Sequence, residues 1–331
     1  MDLYSLFIEL ASKLVRLHGV VSYIVPDSLI GRSNFSATRE EIICKRTILN
    51  WVHINEVFAS ANVASLIYTL RNEPHDDYSF KYIKAANVKQ WHAGEYQVVS
   101  IKKSVVEKTD AFKVNFSTEG ETTLLFKTLN NNNLSSQMKM WRGEELGRHS
   151  NLISNVSSQK SLPILAGDNV HRYEPVTYSR FIDANDVEKD NYDKPKILIR
   201  QLGNRINATL DLDCCVTLQS IYNLSLQDND TKRLKFILGL LNSKLYDFVY
   251  SKVSGDKQTF QRIILENIKQ LPYPTATQDQ QQPIVDLVDS ILAKKKQNPQ
   301  ADTSVEESAI DKLVYQLYGL TEEDINLIEK G

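Results

Sequence analysis

The 331 residues are 42% hydrophobic and 24% charged, the balance of a globular chain of two domains with an extension. No apolar run approaches the ~20 residues a bilayer span needs, residues 1–9 do not read as a secretory signal, and Cys44, Cys214 and Cys215 form neither a disulfide framework nor a zinc spacing, so a reduced, cytoplasmic setting is expected. The formal net charge is −2, but residues 81–172 hold 13 Lys/Arg against 8 Asp/Glu, residues 191–270 hold 12 against 8, and residues 279–331 hold 5 against 11, so a polyanion would meet the middle of the chain and avoid its end.

The first segment runs to about residue 72 and alternates helix with strand. Leu3, Leu6, Phe7, Leu10, Ala11 and Leu14 recur at three and four residues and predict a helix over 3–16, ended by Gly19. Residues 20–25 predict a short buried strand stopped by Pro26. Ser36 is placed to cap a second helix reaching about Arg46. Residues 48–54 and 63–70 predict two strands close enough to pair. Helix, strand, helix, strand, strand is the second half of an open α/β sheet, and the earlier strands such a sheet needs are not in the sequence.

Residues 73–275 change character. Short β-rich runs at 78–84, 96–101, 112–116, 196–202 and 216–226 predict a mixed α+β region, with Gly203-Asn204 as a tight hairpin turn. Leu234, Ile237, Leu238, Leu241 and Leu245 line one face of a helix over 231–245. In residues 276–331 a polar linker at 278–283 precedes a helix over 283–296. Thr303 with Glu306 predicts a capping box for a helix over 305–318, Gly319 closes it, and Thr321 with Asp324 caps a last short helix.

Catalytic constellations are missing. No glycine-rich loop lies between a strand and a helix, Gly143-Glu144-Glu145-Leu146-Gly147 reads as a turn, and the six histidines never fall at metal-ligand spacing. A metal-dependent nuclease would need an acidic residue ahead of a Glu-x-Lys-like pair. The nearest trace, Asp230-Thr231-Lys232, reads as a helix cap.

Residues 2–9 (Asp-Leu-Tyr-Ser-Leu-Phe-Ile-Glu) followed by residues 19–26 (Gly-Val-Val-Ser-Tyr-Ile-Val-Pro) resemble adenine-N6 DNA methyltransferases of the gamma order, in the stretch directly after their catalytic Asn-Pro-Pro-Tyr loop. Glu56-Val57-Phe58 and residues 63–70 resemble that family's last methyltransferase motif. Residues 165–173 (Leu-Ala-Gly-Asp-Asn-Val-His-Arg-Tyr), 194–200 (Lys-Pro-Lys-Ile-Leu-Ile-Arg) and 241–245 (Leu-Asn-Ser-Lys-Leu) resemble the TaqI-like C-terminal specificity domain. Residues 310–321 look like the ending of type IIG restriction–modification proteins. The resemblance implies the C-terminal half of a Rossmann-like methyltransferase sheet at 1–72, a mixed α+β target-recognition domain at 73–275 and a helical tail at 276–331. It also implies double-stranded DNA as partner and S-adenosylmethionine as cofactor of the complete enzyme. The cofactor loop and Asn-Pro-Pro-Tyr loop would precede Asp2, so this chain alone is expected to bind no cofactor and catalyse nothing. A methyltransferase or nuclease part is expected in cis or in trans, the chain being a piece of a longer protein, a split gene product or a decayed one. The alternative is a specificity subunit that docks a separate catalytic chain through its helical tail.

The resemblance places Phe58 where an aromatic ring stacks on the flipped adenine, the competing role being a core residue at a strand end. From the charge pattern, Arg200 and Arg205 flank the predicted hairpin as readers of guanine edges, Lys196 as a phosphate contact, and Asn204 as a reader of adenine or a turn residue. Lys252, Lys257 and Arg262 cluster around Gly255 in a loop able to follow the DNA backbone. Arg172 and Arg180 complete the candidates. For any one of these a solvated charge is the simpler role; as a group they point to DNA.

Overall fold

The computed structural model describes residues 3–55, 57, 58, 64–109, 112, 114, 118–147, 149–254 and 262–330. The chain divides into two compact units, Met1–Asn130 with Ser251–Asp256, and Asn131–Tyr250 with Lys257–Gly331. Among the described residues no helix is long and apolar enough to cross a membrane.

The first unit contains α1 (Leu3–Leu14), β1 (Val20–Pro26), α2 (Ser28–Gly31), α3 (Ser36–Cys44), β2 (Thr47–Ile54), β3 (Ser65–Arg71), β4 (Ser79–Ala85), α4 (Val88–Ala93), β5 (Gln97–Lys102), α5 (Lys103–Val106) and α6 (Glu119–Leu129). Its sheet has the order β1-β3-β2-β4-β5. β3 enters antiparallel between β1 and β2, β4 lies parallel to β2, and β5 returns antiparallel on β4. β4 and β5, read from the sequence as the start of the second segment, thus belong to the first sheet. Phe80 and Tyr82 turn into its core, where Phe80 meets the fully buried Trp51 with ring centroids 5.6 Å apart. The predicted strand at 112–116 lies largely outside the described residues.

Two elements depart from expectation in a related way. β1 is not buried: it is an edge strand, Val25 is covered, and Val20, Tyr23 and Ile24 are exposed. α1 starts where predicted and ends two residues earlier, at Leu14, but is inside out. Ser5, Ile8, Ala11 and Ser12 face inward, while Leu3, Leu6, Phe7, Leu10 and Leu14 face outward, Leu14 at 76% exposure. Gly19 does not supply the left-handed turn after α1; His18 does, at φ 61°. A glycine is needed at 19 for space, since a Cβ there would lie 2.5 Å from Val15 Cγ1.

The second unit contains β6 (Asn132–Asn133), β7 (Lys139–Arg142), β8 (Ile153–Ser154), β9 (Ser161–Leu165), β10 (Phe181–Asp183), β11 (Lys196–Arg200), β12 (Ala208–Asp211), β13 (Val216–Thr217), β14 (Ile221–Ser225), α7 (Thr231–Leu241), α8 (Lys244–Ser254), α9 (Leu265–Lys269), β15 (Pro272–Tyr273), α10 (Gln278–Gln297), α11 (Ser304–Leu317) and α12 (Glu322–Lys330). Two four-stranded sheets, β13-β9-β10-β8 and β12-β11-β14-β7, carry the cores, and β15 pairs with β6. Successive residues of β9 point to opposite faces, so Ile164 joins the cluster of Ile182, Tyr192 and Val216, while Leu165 joins that of Val170, Leu198 and Ile221. The strand predicted over 216–226 is two strands, one in each sheet.

α7 is buried from Phe236 to Leu241, and its Gly239 lets α10 approach: a Cβ there would sit 2.7 Å from Ile284 Cγ2. Asp230 caps α7, its carboxylate accepting from the N–H groups of Lys232 and Arg233, as the sequence indicates. α10 starts earlier than predicted. Thr277 and Gln280 form a capping box, so the polar run at 278–283 is helix, and Pro283, inside it, removes one backbone donor from its second turn. Thr303 makes no cap bond; Asp302 accepts from Ser304 N–H at 2.9 Å, and Glu306 pairs with Lys294 instead. Thr321 and Asp324 cap α12 reciprocally, and Gly319 closes α11 at φ 59°.

Candidate nucleic-acid interface

β11 and β12 form an antiparallel pair, with Lys196 opposite Asp211 and Ile199 opposite Ala208. Their connection, residues 201–207, is longer than the predicted two-residue turn. It is anchored from below. Gln201 is buried and donates from Nε2 to Tyr222 Oη at 2.7 Å, and Tyr222 in turn donates to the Ile263 carbonyl at 3.1 Å. The Ile263 N–H bonds the Gln201 carbonyl at 2.7 Å, and a backbone bridge sets Arg262 beside Leu202. A buried side chain with two strong hydrogen bonds holds such a loop far better than surface contacts would.

This loop brings Arg200, Asn204, Arg205 and Arg262 to one end of the β11–β12 pair. Arg200 is half-buried and the other three are exposed. Arg200 and Arg262 make no ion pair among the described residues, whereas Arg205 Nε lies 3.5 Å from Asp247. Burial pushes the Asp247 carboxyl above the ordinary carboxylate range, opposed by the Ile206 N–H and by Arg205. Asn204 has no left-handed backbone, so a turn conformation does not explain it.

The remaining candidates are placed elsewhere or lie outside the described residues. Lys196 cannot meet phosphate: it is 0% exposed, its ammonium donates to Asp211 at 2.5 Å, and it lies 5.4 Å from the centre of the Tyr192 ring. Arg172 joins elements of the second unit, bonding Glu307 through Nε at 2.7 Å and also donating to the Asn242 carbonyl. Lys252 donates to Glu121 at 2.8 Å within the first unit, and both side chains are largely covered. Arg180 is half-buried. Lys257 and Gly255 lie outside the described residues. The acidic tail is also engaged internally, with Asp289 on Lys235, Glu307 on Arg172 and Glu329 on Lys244, so the segment charges overstate the cation surface open to a polyanion.

Phe58 is 50% exposed and is not among the core residues of the described chain. In the same unit, residues not singled out from the sequence gather where the parallel strands β1, β2 and β4 end. His53 Nε2 lies 3.5 Å from Asp27, its Nδ1 is 3.3 Å from Tyr82 Oη, and Lys84 Nζ sits 4.9 Å from the Tyr82 ring centre. Burial lowers the His53 pKa, against the pull of Asp27. These residues come from separate strands, and no spacing along the chain announces them. Among the described residues no group of three or more His, Cys, Asp or Glu is placed to hold a metal ion.

The phrases that carry the resemblance turn out to be joints of the fold. Asn169 Oδ1 accepts from Ala166 N–H at 2.9 Å, and Ser220 Oγ accepts from Gly167 N–H at 2.8 Å. Asn242 is buried and bonds both backbone groups of Ala208, at 3.1 and 3.0 Å, which is why the helix predicted over 231–245 breaks there. Asp311 of α11 accepts from Lys244 N–H at 2.9 Å, tying the tail to the start of α8.

Comparison with known proteins agrees with this layout. Residues 162–273 match the TaqI-like C-terminal specificity domain, and residues 1–58 match the Eco57I restriction-modification methylase. A Methanocaldococcus jannaschii protein named as a type II restriction enzyme and methyltransferase is 23% identical over 291 residues, which cover 82% of this chain and 24% of that protein. Among solved structures, the type IIL restriction-modification enzyme MmeI, solved in complex with DNA, matches with TM-score 0.50 at 12% identity, over 100% of this chain and 52% of that one. The type IIG restriction endonuclease BpuSI matches with TM-score 0.39 at 12% identity, over 96% of this chain and 50% of that one. The chain thus spans about a quarter of the curated relative it matches and about half of these solved chains. The two matched stretches lie in the order that the chain's own phrases indicate, the one similar to the Eco57I restriction-modification methylase before the one similar to the TaqI-like C-terminal specificity domain.

Proposed function

We propose that this chain reads DNA sequence on behalf of an adenine-specific, type IIG restriction–modification methyltransferase that works in the cytoplasm with S-adenosylmethionine as methyl donor. One observation carries the proposal: within the specificity domain, Arg200, Asn204, Arg205 and Arg262 converge on one anchored loop, the residue types that recognise guanine, adenine and phosphate. The first unit, with β4 and β5 in its sheet, supplies the end of a Rossmann-like methyltransferase sheet, and the second unit supplies the target-recognition region and, over residues 276–331, a helical tail. The tail buries Ile284, Val288, Ile310 and Val314 within its own unit, so docking a separate catalytic chain through it is the weaker reading. A gel shift at low salt tests the proposal. The full chain should retain duplex DNA weakly and release it as salt rises, whereas a purely protein-binding subunit retains none.

S-adenosylmethionine should not bind the isolated chain. A glycine-rich loop and an acidic ribose ligand are missing from the 331 residues. Calorimetric titration should give no heat of binding. Micromolar affinity would require a site built from residues assigned no such role.

α1 and β1 mark where the remainder of a methyltransferase sheet would pack. A free strand edge beside an outward apolar helix face leaves backbone groups unpaired and apolar surface wet. By hydrogen exchange, residues 3–26 should be the least protected part of the first sheet, or the chain should self-associate through them. Slow exchange across residues 3–55 in a monodisperse, monomeric sample would contradict this.

A further inference from the structure

We infer that Leu202 is an apolar wedge that enters the base stack of bound DNA beside the arginines that read it. The inference rests on the DNA-reading role proposed above for the 201–207 loop. Leu202 is 49% exposed at an anchored position, between Arg200 and Asn204 in sequence and beside Arg262 through the backbone bridge. Gln201, immediately before it, is buried and clamped to Tyr222, so the backbone that presents Leu202 is held in place. Only the backbone of Leu202 takes part in the bridge, and its side chain belongs to none of the buried core.

A leucine kept in water on a rigid support contributes little to folding. Its neighbours narrow the partner. Arg200 and Arg205 lie within three residues of it and Arg262 is bridged to its backbone, a local excess of positive charge that favours a polyanion whose interior is apolar and accessible between layers, as in stacked base pairs. Leucine is among the side chains that part a base step, and the unstacking it causes is offset by the contacts the opened duplex then makes. The arginines and Asn204 would fix the register, and the leucine would lever open the step next to the base pairs they read.

The test uses the full chain and a pool of random-sequence duplexes retained by it at low salt. Thymines of the bound duplexes are probed with permanganate, which attacks unstacked thymine. The bound pool should show raised reactivity at one step of the retained sequence. Leu202→Ala should lose that signal while keeping the wild-type melting temperature, and Leu202→Met, which retains an apolar side chain of similar length, should preserve it. Unchanged reactivity in Leu202→Ala would overturn the wedge, and if Arg200→Ala weakens retention in the same assay, the reading surface survives that failure. Loss of retention on replacing thymine by uracil, without any raised reactivity in the wild type, would also overturn it, since leucine would then only touch a thymine methyl group. If the wild-type chain retains no duplex at all, the wedge and the DNA-reading role fall together.

Discussion

Replacing Lys196 by methionine should destabilise the second unit by about 3–5 kcal/mol, the cost of leaving one charge of a buried pair alone. Lys196 and Asp211 are both fully buried, and Asp211 has further duties: its carboxylate accepts from the N–H groups of Cys215 at 2.9 Å and Asp213 at 3.0 Å. Lys196→Met leaves that carboxylate uncompensated in the interior. Adding Asp211→Asn should recover part of the loss, because no buried charge remains, although the single amide oxygen can accept from only one of the two N–H groups that the carboxylate serves. Urea unfolding followed by circular dichroism measures both variants. A loss under about 1 kcal/mol for Lys196→Met, the size of an exposed pair, would mean that water reaches the site.

Arg200→Ala should relax sequence preference at one base pair by about 1–3 kcal/mol, while Arg262→Ala should weaken binding to all sequences about equally and shallow the salt slope by about one unit. The difference follows from placement. Arg200 closes β11, half-buried, with its N–H bonded to the Asn207 carbonyl at 3.1 Å, so it can aim a guanidinium at one base edge. Arg262 is exposed beside the loop, where a positive charge follows phosphate. Neither is in an ion pair among the described residues, so the fold should tolerate both substitutions. Competition binding of near-cognate duplexes across a salt series separates the two effects. Equal losses on every sequence from Arg200→Ala would make it a phosphate contact too.

Local signals were legible. The helix starting at Leu3 and the caps at Asp230 and Thr321 depend on residues within a few positions of one another. The inverted α1 was not legible, because periodicity reveals an apolar stripe without saying what covers it. Nor was β4's place in the first sheet, since its parallel pairing with β2 is non-local. The burial of Lys196 was within reach. A turn centred on Gly203-Asn204 already sets Lys196 opposite Asp211, and carrying that register down the strand flags a neutralised pair. The clustering of Arg262 with Arg200 depends on the Leu202–Arg262 bridge and the Tyr222 clamp, contacts between distant residues that no spacing encodes.

On the proposed function, the 201–207 loop and Arg262 read DNA sequence. Sequencing the random duplexes that the full chain retains at low salt tests it most directly. We expect a common short motif in the wild-type pool that degrades at one position in Arg200→Ala and disappears in the Arg200→Ala, Arg205→Ala double variant. A wild-type pool with no enriched motif, or one whose motif survives the double variant intact, would contradict the claim.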